Sequence, residues 1–256
     1  MTISRIHSFA RRVLLALMFT GAVGAHADIS LNTTRVIFDG KNKEASLIVR
    51  NGSMPVLVQS WLESNAPDDK GELPFAITPA LARMQANGQQ LLRVLYAGGA
   101  NAMPSDRESV LWVNVQEIPQ KSESENSLQI AIRQRIKLFF RPAGLPGTAA
   151  EAPAALRWSL DTADGKKVLK VQNPSAYHVS TTGIDLGSGA DKQRVSESVM
   201  IAPGDSKTFA LKSAAAPTSA VSFTAINDYG GSESYQAQIG SSAPAQASPV
   251  AERSQK

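Results

Sequence analysis

The side chains that most often catalyse reactions or bind metals are scarce in this sequence. The 256 residues include no cysteine and three histidines, which excludes thiol catalysis and cysteine-based zinc sites. His7 and His26 lie in an N-terminal segment that has the pattern of a signal peptide, so a catalytic triad or a histidine metal site would have to use His178. We expect His178, which follows Tyr177, to be a strand or turn residue with a local hydrogen bond.

The carboxylates also give little support for catalysis. Several aspartates lie in polar, turn-like contexts, namely Asp68, Asp69, Asp161, Asp164 and Asp185. Solvated acids are far commoner in such contexts than catalytic pairs. The sequence therefore predicts a protein that is not an enzyme and needs no cofactor or metal.

One segment, "LQIAIRQRIKLFFRP" at 128–142, has a pattern that is unusually long for a strand. Apolar residues alternate with polar or basic ones, which places Leu128, Ile130 and Ile132 on one face and Arg133, Arg135 and Lys137 on the other. Strands usually run to about five or six residues, and this pattern continues until Pro142 stops it. The preceding run "ESVLWVNVQEIP" is joined to it by the short polar connector "QKSESEN", which predicts an antiparallel hairpin.

Residues 1–27 are predicted to be a secretory signal peptide. Three arginines precede the apolar run "VLLALMF", a small-residue cleavage site ends at Ala27, and the uncharged stretch is short of the roughly 20 residues of a membrane-spanning helix. Cleavage would take 27 of 256 residues and three of 26 basic residues, leaving 229 residues with 23 Lys+Arg against 22 Asp+Glu. A charge near +1 gives no reason to expect a nucleic-acid partner, and we expect no membrane insertion of the mature chain.

The rest of the chain is predicted to be all-β, with two domains. Short apolar segments alternate with turn signals in both halves, while "PALARMQANG" is either a brief helix or an irregular strand and turn. The boundaries that we assign are 28–143 for the first domain, 144–155 for a linker rich in Pro, Gly and Ala, 156–240 for the second domain, and 241–256 for a tail that we expect to be disordered.

The apolar residues at the start of the long strand have two interpretations. Leu128, Ile130 and Ile132 are either ordinary core residues or an exposed sheet edge. An exposed apolar edge favours the addition of a strand from another chain.

Six stretches of the sequence, taken together, resemble one known family. They are "TRVIF" at 34–38, "PVLVQSWLE" at 55–63, "ITPALARM" at 77–84, "MPSDRESVLWVNVQEIP" at 103–119, "LQIAIRQRIKLFFRP" at 128–142 and "INDYGG" at 226–231. This set is similar to the periplasmic chaperones of chaperone–usher pilus assembly, of PapD and FimC type. The resemblance implies two immunoglobulin-like β-sandwich domains set at an angle with a cleft between them. It also implies a function, which is to bind pilus or fimbrial subunits by donor-strand complementation, a known case of β-augmentation, and to deliver them to an outer-membrane usher.

The resemblance also implies roles for individual residues. Arg35 and Lys137 match two cleft cations that anchor the C-terminal carboxylate of a subunit, a task that suits an arginine fork and a lysine point charge. Leu128, Ile130 and Ile132 match the donor residues that fill the subunit's groove. Glu108, Arg141 and Asp228 match a charged set that ties the two domains together.

Some features depart from the family pattern or leave the function open. His178 stands where a second aromatic residue is common, and the short connector resembles the subclass (short F1–G1 loop) that serves rod-type pili with tip adhesins. The exposed edge would also favour self-association of the free protein.

The alternatives to a chaperone function are an exported β-sandwich hydrolase and a fibre subunit or adhesin. A complete long strand followed by a second domain argues against a subunit, which needs an incomplete sheet.

Overall fold

The chain folds almost entirely into β-strands. The computed structural model describes residues 29–65, 71–120, 130–212, 219–240 and 243–251. The predicted signal peptide lies outside the described residues, as do Leu128, Asp68, Asp69 and most of the connector "QKSESEN".

The first half of the chain contains nine strands in the described residues. They are β1 (Ile29–Leu31), β2 (Arg35–Asp39), β3 (Glu44–Asn51), β4 (Val56–Ser64), β5 (Phe75–Thr78), β6 (Leu81–Met84), β7 (Gln89–Tyr96), β8 (Ser109–Pro119) and β9 (Arg133–Arg141). They form two sheets, in the orders β1-β3-β7-β5 and β2-β9-β8-β4-β6.

The second half repeats this arrangement after the short helix α1 (Ala152–Ala155). Its strands are β10 (Arg157–Ala163), β11 (Lys166–Gln172), β12 (Val179–Leu186), β13 (Gln193–Ile201), β14 (Ser206–Ala210), β15 (Ser219–Ile226), β16 (Ser232–Ile239), β17 (Ala245–Gln246) and β18 (Ser248–Pro249). The two sheets have the orders β14-β11-β10-β17 and β13-β12-β15-β16-β18.

Each half buries its own apolar core between two sheets. In the first, the ring of Phe38 packs edge-on against that of Phe75 at 5.8 Å and lies 5.6 Å from that of Phe140. In the second, the ring of Phe223 lies between those of Trp158 and Tyr235, at 5.1 and 5.4 Å. Strands with one buried face pack against each other in this way to form β-sandwiches.

The predicted hairpin is confirmed. β8 and β9 pair antiparallel from Ser109↔Phe140 to Gln116↔Arg133. On its other side β9 pairs with β2, in parallel, but only over Lys137–Arg141. The inward residues Leu138 and Phe140 are buried in the first core, as the alternation predicts.

One strand boundary differs from the sequence prediction, and one choice that the sequence left open is settled. The long strand begins at Arg133, five residues later than the pattern predicts, although the Glu117 amide still donates a hydrogen bond to the carbonyl of Ile132 at 2.9 Å. The segment "PALARMQANG" is a short strand, β6, followed by a turn, which settles the choice left open by the sequence in favour of strand and turn.

The prediction of a disordered tail from residue 241 is wrong for residues 245–249. Ala245–Gln246 pairs with β10, and Ser248–Pro249 pairs with β16. Ala247 between them is buried in the second core. The segment lacks large apolar residues, which led to the prediction of disorder, but the small side chain of Ala247 is the one buried in the second core.

Within the part of the chain that the structure describes, no helix is long and apolar enough to cross a membrane.

Candidate functional site

Arg35 and Lys137 lie directly opposite each other on paired strands. β2 and β9 run parallel with Arg35 in register with Lys137. A guanidinium N–H of Arg35 donates to the carbonyl of Ile226 in the second domain at 3.2 Å, and the guanidinium carbon lies 6.0 Å from the centre of the Phe139 ring. The two predicted anchor residues are therefore brought together beside the second domain.

The two cations have no acidic partner within ion-pair distance among the described residues. Burial lowers the pKa of Lys137, and the nearby charge of Arg35 lowers it further. Burial also lowers the pKa of Arg35, although Asp228 acts in the opposite direction. The Nε of Arg35 is buried and has no hydrogen-bond partner in the described structure. Two half-buried like charges with an unused donor favour an anion between them.

Aromatic rings support the cations along the outer face of this sheet. Trp112 lies opposite Lys137 in the β8–β9 ladder, and the ammonium is 5.7 Å from its ring centre. The guanidinium of Arg135 stacks on the same ring at 4.2 Å, while the indole N–H donates to Asn65 at 3.1 Å. Trp112 thus contacts Asn65 through its N–H and lies within cation–π distance of both Arg135 and Lys137.

Glu108, Arg141 and Asp228 meet in one network. The Nε of Arg141 donates to Glu108 at 2.6 Å, and its two terminal nitrogens donate to both oxygens of Asp228 at 2.6 and 2.8 Å. Burial alone would lower the pKa of Arg141, but its hydrogen bonds and charge contacts with Asp228 and Glu108 outweigh this effect and raise it. This bidentate geometry joins the end of β9 to the turn after β15.

His178 is the fourth member of this network, which the sequence did not predict. Its backbone N–H and its ring Nδ1 both lie 2.8 Å from one oxygen of Glu108, which is 70 residues away. The expectation of a local hydrogen bond is therefore wrong. With Arg141 on its other oxygen, the nearly fully buried carboxylate of Glu108 has partners from both domains. The sequence signal at His178 is its place where the family that the chain resembles commonly has a second aromatic residue.

A tight turn presents Asp228 to the first domain. The side-chain oxygen of Asn227 accepts from the amides of Tyr229 and Gly231 at 3.1 and 2.8 Å. Gly230 has a φ of 83°, and a Cβ there would lie 2.5 Å from the Oγ1 of Thr34. A side chain at this position would push the turn away from the residue that precedes Arg35.

A cavity of about 140 Å³ lies between the domains next to this network. Arg35, Phe139 and Arg141 line it from the first domain, and Val179 and Asp228 line it from the second. Of the two predicted cations, Arg35 thus borders the same cavity as the three predicted domain-tying residues, while Lys137 lies next to Arg35 on the paired strand.

The predicted donor residues lie next to an open strand edge. Ile130 is 59% exposed and Ile132 is partly exposed, and neither belongs to the first core. Because β2 pairs only with Lys137–Arg141, no strand in the described part of the chain pairs with that edge of β9 over residues 133–136. For Ile130, the structure thus favours the exposed interpretation over the core interpretation. Leu128 lies outside the described residues.

Asp185 differs from the solvated acid that the sequence suggests. It is buried on β12 and accepts from Arg194 at 2.6 Å, and its other oxygen lies 2.9 Å from the ammonium of Lys192. Burial would raise the pKa of Asp185, but the hydrogen bonds from Arg194 and Lys192 lower it overall. This cluster belongs to the second domain alone and does not join the cleft.

Comparison with known proteins gives the same picture over both domains. Residues 28–146 match the family described as "Pili and flagellar-assembly chaperone, PapD N-terminal domain", and residues 151–237 match "Pili assembly chaperone PapD, C-terminal domain". The chain is 39% identical to the probable fimbrial chaperone YadV of Escherichia coli over 218 residues, which is 80% of this chain and 87% of the relative. It is 34% identical to the chaperone PapD of Escherichia coli over 217 residues, 81% of this chain and 85% of the relative.

Solved structures agree with the observed architecture. The YadV chaperone matches with a TM-score of 0.69 at 35% identity, covering 88% of this chain and 100% of that one. The CupB2 chaperone of Pseudomonas aeruginosa matches with a TM-score of 0.68 at 32% identity, covering 82% of this chain and 100% of that one. The prediction of two immunoglobulin-like β-sandwich domains is confirmed. The chain belongs to the family of PapD-like pilus-assembly chaperones.

Proposed function

We propose that this chain captures newly exported pilus subunits in the periplasm, completes their fold by donor-strand complementation and delivers them to an outer-membrane usher. The observation that carries this proposal is the pair Arg35 and Lys137, which lie opposite each other at the first residue pair of the β2–β9 ladder. A site for an anion thus lies directly beside an unpaired strand edge.

The anion that fits this site is the C-terminal carboxylate of a subunit. Arg35 offers a buried Nε without a partner, and Lys137 offers an ammonium held over Trp112. A carboxylate between them would offset the burial and the repulsion from Arg35 that together lower the pKa of Lys137. Charge-assisted hydrogen bonds of this kind are shorter and about twice as strong as neutral ones.

The open edge of β9 supplies the second part of the contact. The last strand of a subunit, which ends at the carboxylate site, can lie along residues 133–136, where β9 has no neighbour on that side among the described strands. Farther along, Leu128, Ile130 and Ile132 would enter the subunit's groove. Each covered Leu or Ile contributes about 1.5–3 kcal/mol, and three together offset a sizeable part of the entropic cost of association.

The network of Glu108, Arg141 and Asp228 would hold the two domains at a fixed angle. Arg35 contacts both domains, because its guanidinium donates to Ile226 across the cleft. A shift of the second domain would therefore move the anchor itself. We place the domain boundary in residues 144–155, where Tyr177 donates a hydrogen bond to the carbonyl of Gly147 at 2.9 Å.

One solved relative supports a subunit as the partner. The Salmonella enterica SafB chaperone was solved in complex with the SafA pilin, and that structure matches with a TM-score of 0.68 at 28% identity. We assign the chain to the subclass with a short connector between β8 and β9. The uncovered edge of β9 would also favour self-association of the free protein.

The hydrolase and fibre-subunit alternatives are set aside by family membership, since pilus-assembly chaperones are neither enzymes nor fibre subunits. The prediction that the protein is not an enzyme is therefore confirmed.

Native mass spectrometry of the tagged protein from the periplasm of its own host tests the proposal. We expect a one-to-one complex with a small β-rich subunit for the wild type, and only free protein for Arg35→Ala and Lys137→Ala. The matched controls are Arg93→Ala and Lys43→Ala, exposed cations of the first domain that lie on or next to its other sheet. These should keep the complex, and all four variants should keep the wild-type circular dichroism spectrum.

Finding the wild type only as free protein while fibre subunits are expressed would overturn subunit capture. Finding the complex intact in both cleft variants would overturn the anchor but leave capture standing.

A further inference from the structure

The C-terminal segment 243–251 lies beyond residue 237, where the match to the family's C-terminal domain ends. It nevertheless forms two short strands, one on each sheet of the second domain. Its role therefore needs a separate explanation.

Without this segment, β10 and β16 would be edge strands of their sheets. β10 has β11 on one side and β17 on the other, and β16 has β15 on one side and β18 on the other. The segment pairs with Arg157 and Trp158 of β10 and with Ser234, Tyr235 and Gln236 of β16, so it covers part of one edge of each sheet. An exposed edge offers unpaired N–H and C=O groups to any other strand, above all to the same strand of another copy.

Two contacts hold the segment in place. Ala247, at its midpoint, is 6% exposed and packs in the core that contains Trp158 and Tyr235. The amide of Val250 donates to the carbonyl of Ser234 on β16 at 2.8 Å. The segment is therefore bound by a buried side chain and by strand pairing, rather than lying loosely on the surface.

Pro249 closes the outer side of the added strand. Successive backbone amides of a strand point to opposite sides, so the nitrogen of Pro249 faces away from β16 because the amide of Val250 faces toward it. Proline has no N–H to donate. The new edge therefore lacks a donor at the position where a further strand would pair.

We propose that residues 243–251 form an intramolecular clasp that occupies the edges of β10 and β16 and prevents a second copy of this chain from pairing there. The competing occupant is a second copy, because its own tail and its own β16 carry the same backbone pattern and can make the same pairs. Exchange of identical segments between copies is a low-cost route to dimers.

The test uses two full-length variants, each with a matched control at the same or a neighbouring position. Val250→Pro removes the amide that bonds Ser234, whereas Val250→Ala retains it. Ala247→Glu places a charge at a buried position, whereas Ser248→Glu places it at an exposed one. Amide exchange at Ser234 and Gln236 on β16 reports release of the clasp, and sedimentation velocity over a concentration series reports dimers.

We expect amide exchange at Ser234 and Gln236 to become roughly tenfold faster or more in Val250→Pro and Ala247→Glu, as for a strand that has lost its neighbour, with exchange in the first domain unchanged. Both variants should form concentration-dependent dimers, and a synthetic peptide of residues 243–251 should return them to monomers. Both controls should behave like the wild type.

Unchanged exchange at Ser234 and Gln236 in both variants would show that the segment does not cover β16. Faster exchange in a protein that stays monomeric at every concentration would show that the segment covers the edge but does not prevent pairing. Either result overturns the proposal.

Discussion

Replacing Arg141 should destabilise the protein far more than replacing Asp228, although the two are ion-pair partners. The side chain of Glu108 is 1% exposed, whereas that of Asp228 is 38% exposed. Arg141→Met leaves the buried carboxylate of Glu108 without its cation, and removal of one partner from a buried pair costs about 3–5 kcal/mol. Asp228→Asn keeps the shape and removes a charge that water already screens, which costs about 1 kcal/mol or less.

The free energy of unfolding, measured by urea denaturation with tryptophan fluorescence, separates these values. Lys207→Met is the matched control, because its ion pair with Asp205 has a similar distance of 2.9 Å but is 43% and 41% exposed. Loss of such a pair should cost less than about 1 kcal/mol. If Arg141→Met lowers the free energy of unfolding no more than Lys207→Met does, the buried carboxylate of Glu108 does not depend on Arg141. If Asp228→Asn lowers it as much as Arg141→Met does, the difference in burial between Glu108 and Asp228 does not decide the effect.

Three further outcomes follow from the site and its surroundings. Lys137→Met should raise the free energy of unfolding of the free protein near neutral pH by less than about 1 kcal/mol, because water screens the half-exposed ammonium. The gain should shrink as pH rises through the lowered pKa of Lys137, since the unfolded wild type binds more protons there. Asp185→Asn should be less stable than the wild type at neutral pH, because the ionised carboxylate of Asp185 stabilises the fold. The wild type should lose this advantage as pH falls through the lowered pKa of Asp185, so the urea midpoints of the two proteins should converge in acid. Trp112→Leu should weaken subunit binding in titration calorimetry roughly three- to fivefold, and Trp112→Phe should restore most of it, because an aromatic face stabilises the ammonium of Lys137.

Much of the fold could be predicted from side-chain alternation. The pattern in β4 and β9 follows directly from one face packing into a core, whereas β8 is apolar on both faces, as expected of a strand with neighbours on each side. The short polar connector predicts that β8 and β9 pair. The pattern failed at residues 130–132, because alternation shows which face is apolar but not whether a core exists to cover it. It also missed β17 and β18, whose side chains are small and whose pairing depends on edges contributed by distant strands.

The site was predictable only through family resemblance. Local sequence gives no reason for Arg35 to lie opposite Lys137, because a parallel pairing joins segments that are about a hundred residues apart. The resemblance supplied that pair and the set Glu108, Arg141 and Asp228, but not His178, which replaces an aromatic residue and binds Glu108 instead. The contact between His178 and Glu108 thus occurs at a position that departs from the family pattern, and the pattern could not predict it.

The most direct test of subunit capture is a double-mutant cycle between Lys137 and the terminal carboxylate of a subunit. A peptide with the sequence of the last strand of a co-expressed pilus subunit is prepared with a free carboxylate and with a C-terminal amide, and each is titrated into the wild type and Lys137→Met. We expect the amide to weaken binding to the wild type by tenfold or more and to weaken binding to the variant, which retains Arg35, by a smaller factor; a tenfold difference between the two factors is a coupling of about 1.4 kcal/mol. Equal affinity of the two peptides for the wild type would contradict the account, because the two cleft cations would then have no carboxylate to hold.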